Sequence, residues 1–104
     1  MGDFSELQAM IASFTDARHW GEFHTPKNLA MALSGEVGEL AAEFQWLSSE
    51  ESRGSSLSSA KRSAVEMEMA DVAIYLLRLA DVLDVDLNRA VKEKLEVNGH
   101  RFPI

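Results

Sequence analysis

Residues 65–83 read VEMEMADVAIYLLRLADVL, a stretch that contains neither glycine nor proline. Apolar side chains recur in it three or four residues apart, at Val65, Met69, Val72, Leu76, Leu79 and Leu83. This spacing is typical of an α-helix with one apolar face, and no residue in the stretch interrupts a helix. The sequence therefore predicts a long helix here, with this stripe turned toward a core.

Two helices are predicted before this stretch. Asp3 and Glu6 have the spacing of a capping box, and the helix that follows runs to about Arg18. Thr25-Pro26 places a hydroxyl residue before a proline, which is typical of a helix start, so a second helix runs from there to near Leu47.

The remaining segments complete an all-α prediction. Serine-rich residues 48–59 indicate a mobile surface loop, Asp86 is placed to cap a last helix, and Gly99 is placed to end it. Valine and isoleucine do not alternate with polar residues over a useful length, so no strand is predicted. We expect an antiparallel four-helix bundle that forms a single domain over residues 1–104.

Composition excludes several classes of protein. A formal net charge of −7 would repel a nucleic-acid backbone, so duplex DNA or RNA is not expected as a partner. The absence of cysteine suits a reducing compartment, and no segment approaches the ~20 apolar residues of a membrane span. We therefore expect a cytoplasmic protein that is neither secreted nor inserted in a membrane. Because 104 residues bury a small share of their surface, we also expect a homo-oligomer.

Two matched pairs of carboxylates carry the chemistry. Glu36 and Glu39 lie three residues apart, and so do Glu68 and Asp71, so each pair shares one helical face. Each pair also flanks its apolar stripe on the same side, so the four acids converge if the two stripes pack together. Four carboxylates without partners repel one another, which favours a bound cation. Mg²⁺ is the natural candidate because it prefers oxygen ligands, and Mn²⁺ is a possible substitute.

Two alternatives compete with a magnesium site. A dinuclear iron site would need Glu-x-x-His on two helices, and the chain has no such pair, its three histidines lying outside the predicted helix interiors. The glutamates of a single E-x-x-E motif usually lie on a solvated helix surface. A non-catalytic helical dimerisation module is therefore the second alternative. In that case Gly35 and Gly38 would permit close helix packing, whereas in an enzyme they leave room around the acids.

Several motifs together resemble one family. Besides the two acid pairs, the chain contains W-x-x-F-H-x-P-x-N-L at 20–29, GEVGEL at 35–40, FQW at 44–46, DV-x-IYL at 71–76 and K-x-x-x-N-x-x-RFP at 94–103. These motifs are similar to those of the MazG-like all-alpha nucleoside triphosphate pyrophosphohydrolases, and in particular to their short dCTP pyrophosphatase branch. The resemblance covers most of the chain.

The resemblance implies a reaction and a metal site. It implies that Glu36, Glu39, Glu68 and Asp71 are the catalytic residues and hold Mg²⁺, which bridges the triphosphate of a nucleotide such as dCTP. Water then attacks the α phosphorus and pyrophosphate leaves, a reaction suited to nucleotide-pool housecleaning. A related branch acts on phosphoribosyl-ATP, so another nucleotide is the alternative substrate. Relatives form dimers and tetramers.

The resemblance also implies substrate-binding residues. Lys94, Asn98 and Arg101 would bind phosphate or sugar, although a basic helix end also complements the helix dipole. Trp20 and Trp46 would stack on the nucleobase, as aromatic rings commonly do. His24 and Asn28 would line the base pocket. Tyr75 would hydrogen-bond a phosphate or orient Asp71. Ile11 and Phe102 depart from residues found in some pyrimidine-specific members, so the family pattern does not fix the base.

Overall fold

A computed structural model of the chain describes residues 4–104 and contains four α-helices. They are α1 (Ser5–Ala17), α2 (Pro26–Phe44), α3 (Ser59–Val82) and α4 (Leu87–Arg101). Short 3-10 turns occupy Gly21–Phe23 and Gly54–Ser56, and no strand occurs among the described residues. The all-α class and the number of helices are confirmed. The predicted capping residue Asp3 lies outside the described residues.

The predicted helix ends are confirmed in part. The carboxylate of Asp86 accepts a hydrogen bond from the Arg89 N–H at 3.0 Å, as expected of a capping residue. The prediction for Gly99 is wrong, because α4 continues through it to Arg101, and the Phe102 N–H bonds the Asn98 carbonyl at 2.8 Å. Pro103 follows Phe102 and disfavours a helical conformation there, so the proline ends the helix.

This longer α4 also corrects the placement of one histidine. With α4 predicted to end at Gly99, His100 was expected beyond the helix, but it lies in the last turn of α4. The predicted end of α2 is also corrected, because this helix ends at Phe44 rather than near Leu47. The Leu47 N–H bonds the Phe44 carbonyl at 2.9 Å, a three-residue spacing that tightens the chain into a turn.

Helices α1 and α3 end in the same way, with a non-glycine residue in the left-handed region. His19 has φ 58° and Asp84 has φ 56°. After α1, the Trp20 N–H bonds the Thr15 carbonyl at 3.0 Å, and the His19 N–H bonds the Asp16 carbonyl at 3.1 Å. Equivalent bonds follow α3 at Asp84 and Val85. This pair of bonds defines a Schellman motif, which reverses the chain sharply at a helix end.

Contacts divide the chain into two compact units. One consists of Lys27–Leu76 and contains most of α2 and α3, which run antiparallel. At the end of α2, Glu43 accepts a hydrogen bond from the Lys61 ammonium group near the start of α3, at 3.0 Å. The other unit combines the chain up to Pro26 with Leu77–Ile104, and in it the Gln8 side chain donates to the Leu77 carbonyl at 3.1 Å. The single domain stays a prediction.

The buried core is small, and the predicted stripe of α3 only partly faces it. Val65 is buried as expected, but Met69 is 55% exposed and Leu83 52% exposed, whereas Leu77 and Ala80 are buried instead. Residues 72–80 carry apolar side chains on more than one side, so their period alone cannot select the buried face. None of the described helices has the length and apolar character needed to cross a membrane.

The serine-rich segment 48–59 is exposed except at Ser52 and Leu57, which are half-buried, and local hydrogen bonds close its turns. The Ser48 N–H donates to the Glu51 carboxylate at 2.9 Å, and the Glu51 N–H donates to the Ser48 hydroxyl at 3.1 Å. The Ser58 hydroxyl accepts from the Lys61 N–H at 3.1 Å at the start of α3. These bonds give the segment defined turns between α2 and α3.

Candidate functional site

Three of the four predicted acids meet in the unit formed by Lys27–Leu76. Glu36 and Glu39 project from α2 and Glu68 projects from α3, with one carboxylate oxygen of each within 4.8 Å of the others. The antiparallel pairing of the two helices explains this convergence. Glu43, one helical turn after Glu39 on α2, contacts Lys61 near the start of α3. The earlier residues of α2 therefore lie beside later residues of α3, which include Glu68. The site is therefore assembled by two regular helices.

Two of these carboxylates are in an unfavourable environment. The Oε2 atoms of Glu36 and Glu68 are buried, and neither has a hydrogen-bond partner within residues 4–104. Burial raises the pKa of the Glu36 carboxyl above its usual range, and the charges of Glu39 and Asp71 raise it further. The pKa of Glu68 is raised by burial and then by the charges of Glu39, Glu36 and Asp71.

Asp71 belongs to the same electrostatic environment without joining the three-carboxylate group. It lies three residues after Glu68 on α3, and its charge raises the pKa of both buried carboxyls. The structure thus brings Glu36, Glu39 and Glu68 into direct proximity and places Asp71 close enough to interact with them electrostatically. The assignment of all four as metal ligands stays a prediction.

The chemistry of this cluster suits a hard divalent cation. All of its donors are carboxylate oxygens, and a cation would satisfy the two buried oxygens that lack a partner. Lys61 bridges the same two helices, but its ammonium group is engaged by Glu43, to whose Oε1 and carbonyl oxygen it donates at 3.0 Å each. Glu43 is therefore paired with a basic side chain, whereas none of the three clustered acids has an ion pair with a residue in the range 4–104.

The two glycines beside the first acid pair lie next to open space. A Cβ atom built on Gly35 or on Gly38 would meet no atom within 4 Å among the described residues. Packing against the described part of the chain therefore does not require glycine at either position. The space beside Glu36 and Glu39 is open to a substrate or to another molecule.

A second group of predicted residues lies in the other unit. The Schellman turn at His19 returns Trp20 to α1, where its ring meets the Phe14 ring edge-to-face at 5.7 Å between centroids. The His24 ring lies 6.4 Å from the Trp20 ring. Its Nδ1 atom accepts a hydrogen bond from the Arg78 Nε–H at 3.2 Å. Burial lowers the pKa of His24, and the Arg78 charge lowers it further.

The other predicted substrate-binding residues are placed as follows. Trp46 follows α2 and is 87% exposed, Asn28 is exposed in the first turn of α2, and Tyr75 is half-buried one turn after Asp71. On α4 the corrected helix end places Lys94, Asn98 and Arg101 at four- and three-residue spacing, so the three share one face.

Arg78 is a residue that the sequence reasoning missed. It occurs in IYLLRLA, where it is the one charged side chain in an apolar run, and its side chain is 12% exposed. A buried arginine requires a partner, so a charge in an apolar run of a core helix was the available signal. The structure supplies two partners, His24 at 3.2 Å and Asp81 at 3.7 Å.

Comparisons with known proteins agree on one family. The profile of the MazG-like family matches residues 31–104. The chain is 43% identical to rat dCTP pyrophosphatase 1 over 99 residues, 95% of the chain and 58% of that relative. Human dCTP pyrophosphatase 1 is 43% identical over 98 residues, 94% of the chain and 58% of that protein. The chain therefore spans somewhat more than half the length of these curated relatives.

A solved structure extends the likeness to the fold. The crystal structure of a pyrophosphatase from Archaeoglobus fulgidus superposes with a TM-score of 0.88. It is 42% identical in sequence, and the match covers 97% of this chain and 93% of the archaeal one. The fold of this chain is thus that of a known pyrophosphatase.

Proposed function

Because this chain belongs to the MazG-like family, we propose that it is a magnesium-dependent nucleoside triphosphate pyrophosphohydrolase. Its proposed substrate is dCTP or a modified pyrimidine nucleotide, which it converts to the monophosphate and pyrophosphate in nucleotide-pool housecleaning. The observation that carries the proposal is the convergence of Glu36, Glu39 and Glu68 around two buried oxygens without partners. The resemblance to dCTP pyrophosphatases supports the choice of base.

The four acids hold the cation in this proposal. Glu36 and Glu39 bind it from α2, and Glu68 and Asp71 bind it from α3. When bound to these acids, Mg²⁺ would supply positive charge that offsets the charge on the phosphate oxygens and would favour ionisation of the attacking water. Mn²⁺ has similar oxygen preferences and is expected to substitute. A cluster of carboxylates alone would repel a triphosphate, so these acids serve hydrolysis only together with the cation.

The proposed reaction is a nucleophilic displacement at the α phosphorus. A water oxygen forms a bond to that phosphorus, the bond to the oxygen that bridges the α and β phosphates breaks, and pyrophosphate departs. The proton of the water passes to a carboxylate or to solvent. Lys94, Asn98 and Arg101 bind phosphate or sugar oxygens through cationic and amide donors on one face of α4.

The aromatic residues provide the proposed contacts to the base. Trp20 and Trp46 are partly or largely exposed, so each has ring surface available for stacking. His24 and Asn28 are proposed to line the base pocket, and Tyr75 to donate a hydrogen bond to a phosphate or to orient Asp71. These roles rest on the family resemblance.

The test is pyrophosphate release from a panel of nucleoside triphosphates, with and without Mg²⁺. We expect magnesium-dependent release that is highest for a cytosine nucleotide, and a loss of more than about 100-fold in Glu39→Gln. Glu66→Gln is the matched control, because Glu66 lies on α3 two residues before Glu68 but is exposed and paired with Arg62. Phosphoribosyl-ATP in the panel distinguishes the alternative substrate.

One result would contradict the proposal. If no substrate releases pyrophosphate and added Mg²⁺ changes the melting temperature of neither the parent nor Glu39→Gln, the acids are not a catalytic metal site. The dimerisation module would then be favoured, and its prediction concerns the glycines. Gly38→Ala would disrupt a close helix contact between subunits, whereas the monomer has room for the added methyl group.

We propose in addition that the protein is a cytoplasmic homo-oligomer, either a dimer or a tetramer. The exposed apolar side chains on all four helices support association, because water-exposed apolar area of this extent is costly in an isolated chain. The absence of cysteine agrees with a reducing compartment.

A further inference from the structure

Arg78 is a nearly buried cation that contacts the side chains of His24 and Asp81. Its Nε–H donates to His24 Nδ1 at 3.2 Å, and its terminal nitrogen lies 3.7 Å from an Asp81 carboxylate oxygen. Asp81 follows it by three residues on the same helix and is half-exposed. The carboxylate thus holds one side of the guanidinium group while another side faces the histidine.

This contact determines which nitrogen of His24 carries the proton. A guanidinium group remains protonated at every pH at which proteins are folded, and it can only donate hydrogen bonds. His24 Nδ1 must therefore accept, which leaves no proton on Nδ1. A neutral imidazole in this state has its proton on Nε2, and Nε2–H is the ring's one remaining polar group.

The neighbouring rings limit how far His24 can turn. The Trp20 ring lies 6.4 Å from the His24 ring at an interplanar angle of 54°, and Trp20 is itself held against Phe14. His24 is thus placed between an aromatic ring and a fixed donor. A side chain with this support presents one donor in a defined position instead of exchanging between donor and acceptor.

We propose that Arg78 is a positioning residue that fixes His24 with its proton on Nε2, so that the ring donates a hydrogen bond to an acceptor on the pyrimidine edge of the substrate. The inference rests on the proposed function, in which His24 contacts the base. It adds a reason for base selection, because a ring that can only donate discriminates between base edges that differ in donors and acceptors.

Where the Nε2–H of His24 faces position 3 of the base, it favours cytosine. The N3 of cytosine accepts a hydrogen bond, whereas the N3 of uracil carries a proton and would face the Nε2–H of His24 donor to donor. If Arg78 is removed, His24 can shift its proton to Nδ1, and Nε2 can then accept from uracil N3–H. Loss of Arg78 should therefore reduce the preference for cytosine rather than abolish binding.

The first experiment reads the tautomer of His24 directly. Long-range ¹H–¹⁵N NMR spectra of the full chain near neutral pH distinguish a protonated Nε2 from a protonated Nδ1. We expect His24 to be protonated on Nε2 in the parent and in Arg78→Lys, whose ammonium group can also only donate. In Arg78→Met we expect a mixture of tautomers. A parent ring protonated on Nδ1 would overturn the proposal.

The second experiment measures binding of dCMP and dUMP by calorimetry, which requires no catalytic turnover. The parent is expected to bind dCMP more tightly, and Arg78→Met to reduce the dCMP-to-dUMP affinity ratio by roughly tenfold, the effect of one misplaced hydrogen bond. Arg62→Met is the matched control, because it removes an exposed arginine from the same helix. It should leave the ratio unchanged.

A double-mutant cycle separates positioning from general structural support. In a His24→Phe background, Arg78→Met should have no further effect on the affinity ratio, because the residue through which Arg78 acts is gone. Circular dichroism checks that each variant is folded, and Arg78→Gln, whose amide can donate or accept and so does not fix the tautomer, replaces Arg78→Met if the latter is not. An unchanged ratio in a folded Arg78→Met chain with mixed tautomers would overturn the role in base selection. Failure of the parent to hydrolyse any nucleotide would instead contradict the proposed function and leave both readouts interpretable.

Discussion

At the scale of single residues, Glu36 and Glu68 make the stability of the protein depend on pH. Burial and neighbouring acids raise the pKa of both carboxyls in the folded chain above the ordinary value of 4.5. The folded chain therefore binds protons more tightly than the unfolded chain. The resulting destabilisation is present above the raised pKa values and is relieved as the pH falls through them toward 4.5.

We expect the melting temperature in a metal chelator to increase when the pH is lowered from about 7 to about 5. Thermal melting followed by circular dichroism checks this. The double variant Glu36→Gln, Glu68→Gln is the control, because it has no carboxyl at either position and should lose most of the increase. A parent melting temperature that stays constant or decreases over this range would contradict the raised pKa values.

At the scale of helices, the contact between Lys61 and Glu43 connects the end of α2 to the start of α3. The two side chains are 34% and 25% exposed, and the ammonium group makes two hydrogen bonds of 3.0 Å. We expect Lys61→Met to destabilise the chain by about 1 kcal/mol, because it leaves a half-buried carboxylate without its partner. Urea unfolding measures this change.

Arg62→Met is the control for that measurement. Arg62 is the next residue along α3, and its pair with Glu66 is 62% and 61% exposed with a distance of 3.7 Å. An exposed pair of this kind contributes little, so its loss should change the free energy of unfolding by less than about 0.5 kcal/mol. Equal effects of the two substitutions would show that the Lys61 contact has no special role.

The Schellman turns give a second prediction for the helices. Asp84 has φ 56° at the end of α3. This left-handed conformation is unfavourable for a residue with a Cβ atom, whereas glycine adopts it readily. Asp84→Gly should therefore stabilise the chain by roughly 0.5–1 kcal/mol in urea unfolding. Ser63→Gly, inside α3, should have the opposite sign and a similar size. Destabilisation by Asp84→Gly would mean that its side chain makes a contact that outweighs the backbone effect.

At the scale of the whole molecule, the exposed apolar surface predicts association. Leu7, Val37, Met69 and Leu95, one from each helix, are 47–64% exposed, and they are part of a larger set. We expect sedimentation velocity at micromolar concentration to give at least a dimer. A protein that sediments as a monomer throughout this range would contradict the proposed oligomer.

The sequence was sufficient for the features that depend on local pattern. The helix-forming stretch of α3 and the capping residue Asp86 were predicted, and the spacing of the acids predicted the pairing that places Glu36, Glu39 and Glu68 together. These features follow from helical periodicity and from one packing assumption. The class of fold was predictable for the same reason.

Features that depend on tertiary context were not predictable in this way. The prediction of the buried face of α3 was wrong in part, because several sides of this helix are apolar and only packing determines which side is buried. Gly99 did not end α4, because a glycine can remain helical and the next strong helix breaker is Pro103. Arg78 was missed, because its partner His24 lies 54 residues away in the chain.

The unequal exposure of the two tryptophans makes the chain its own optical sensor. Trp46 is 87% exposed, whereas Trp20 is 42% exposed and lies against Phe14. Their fluorescence should differ accordingly: Trp46 should emit at longer wavelength and be quenched readily by iodide, and Trp20 should emit at shorter wavelength and be more protected. Since the chain has only these two indoles, replacing either one with phenylalanine isolates the signal of the other. A nucleotide that stacks on one ring would then change the fluorescence of that tryptophan. Binding, and the tryptophan at which it occurs, could thus be followed without any added label.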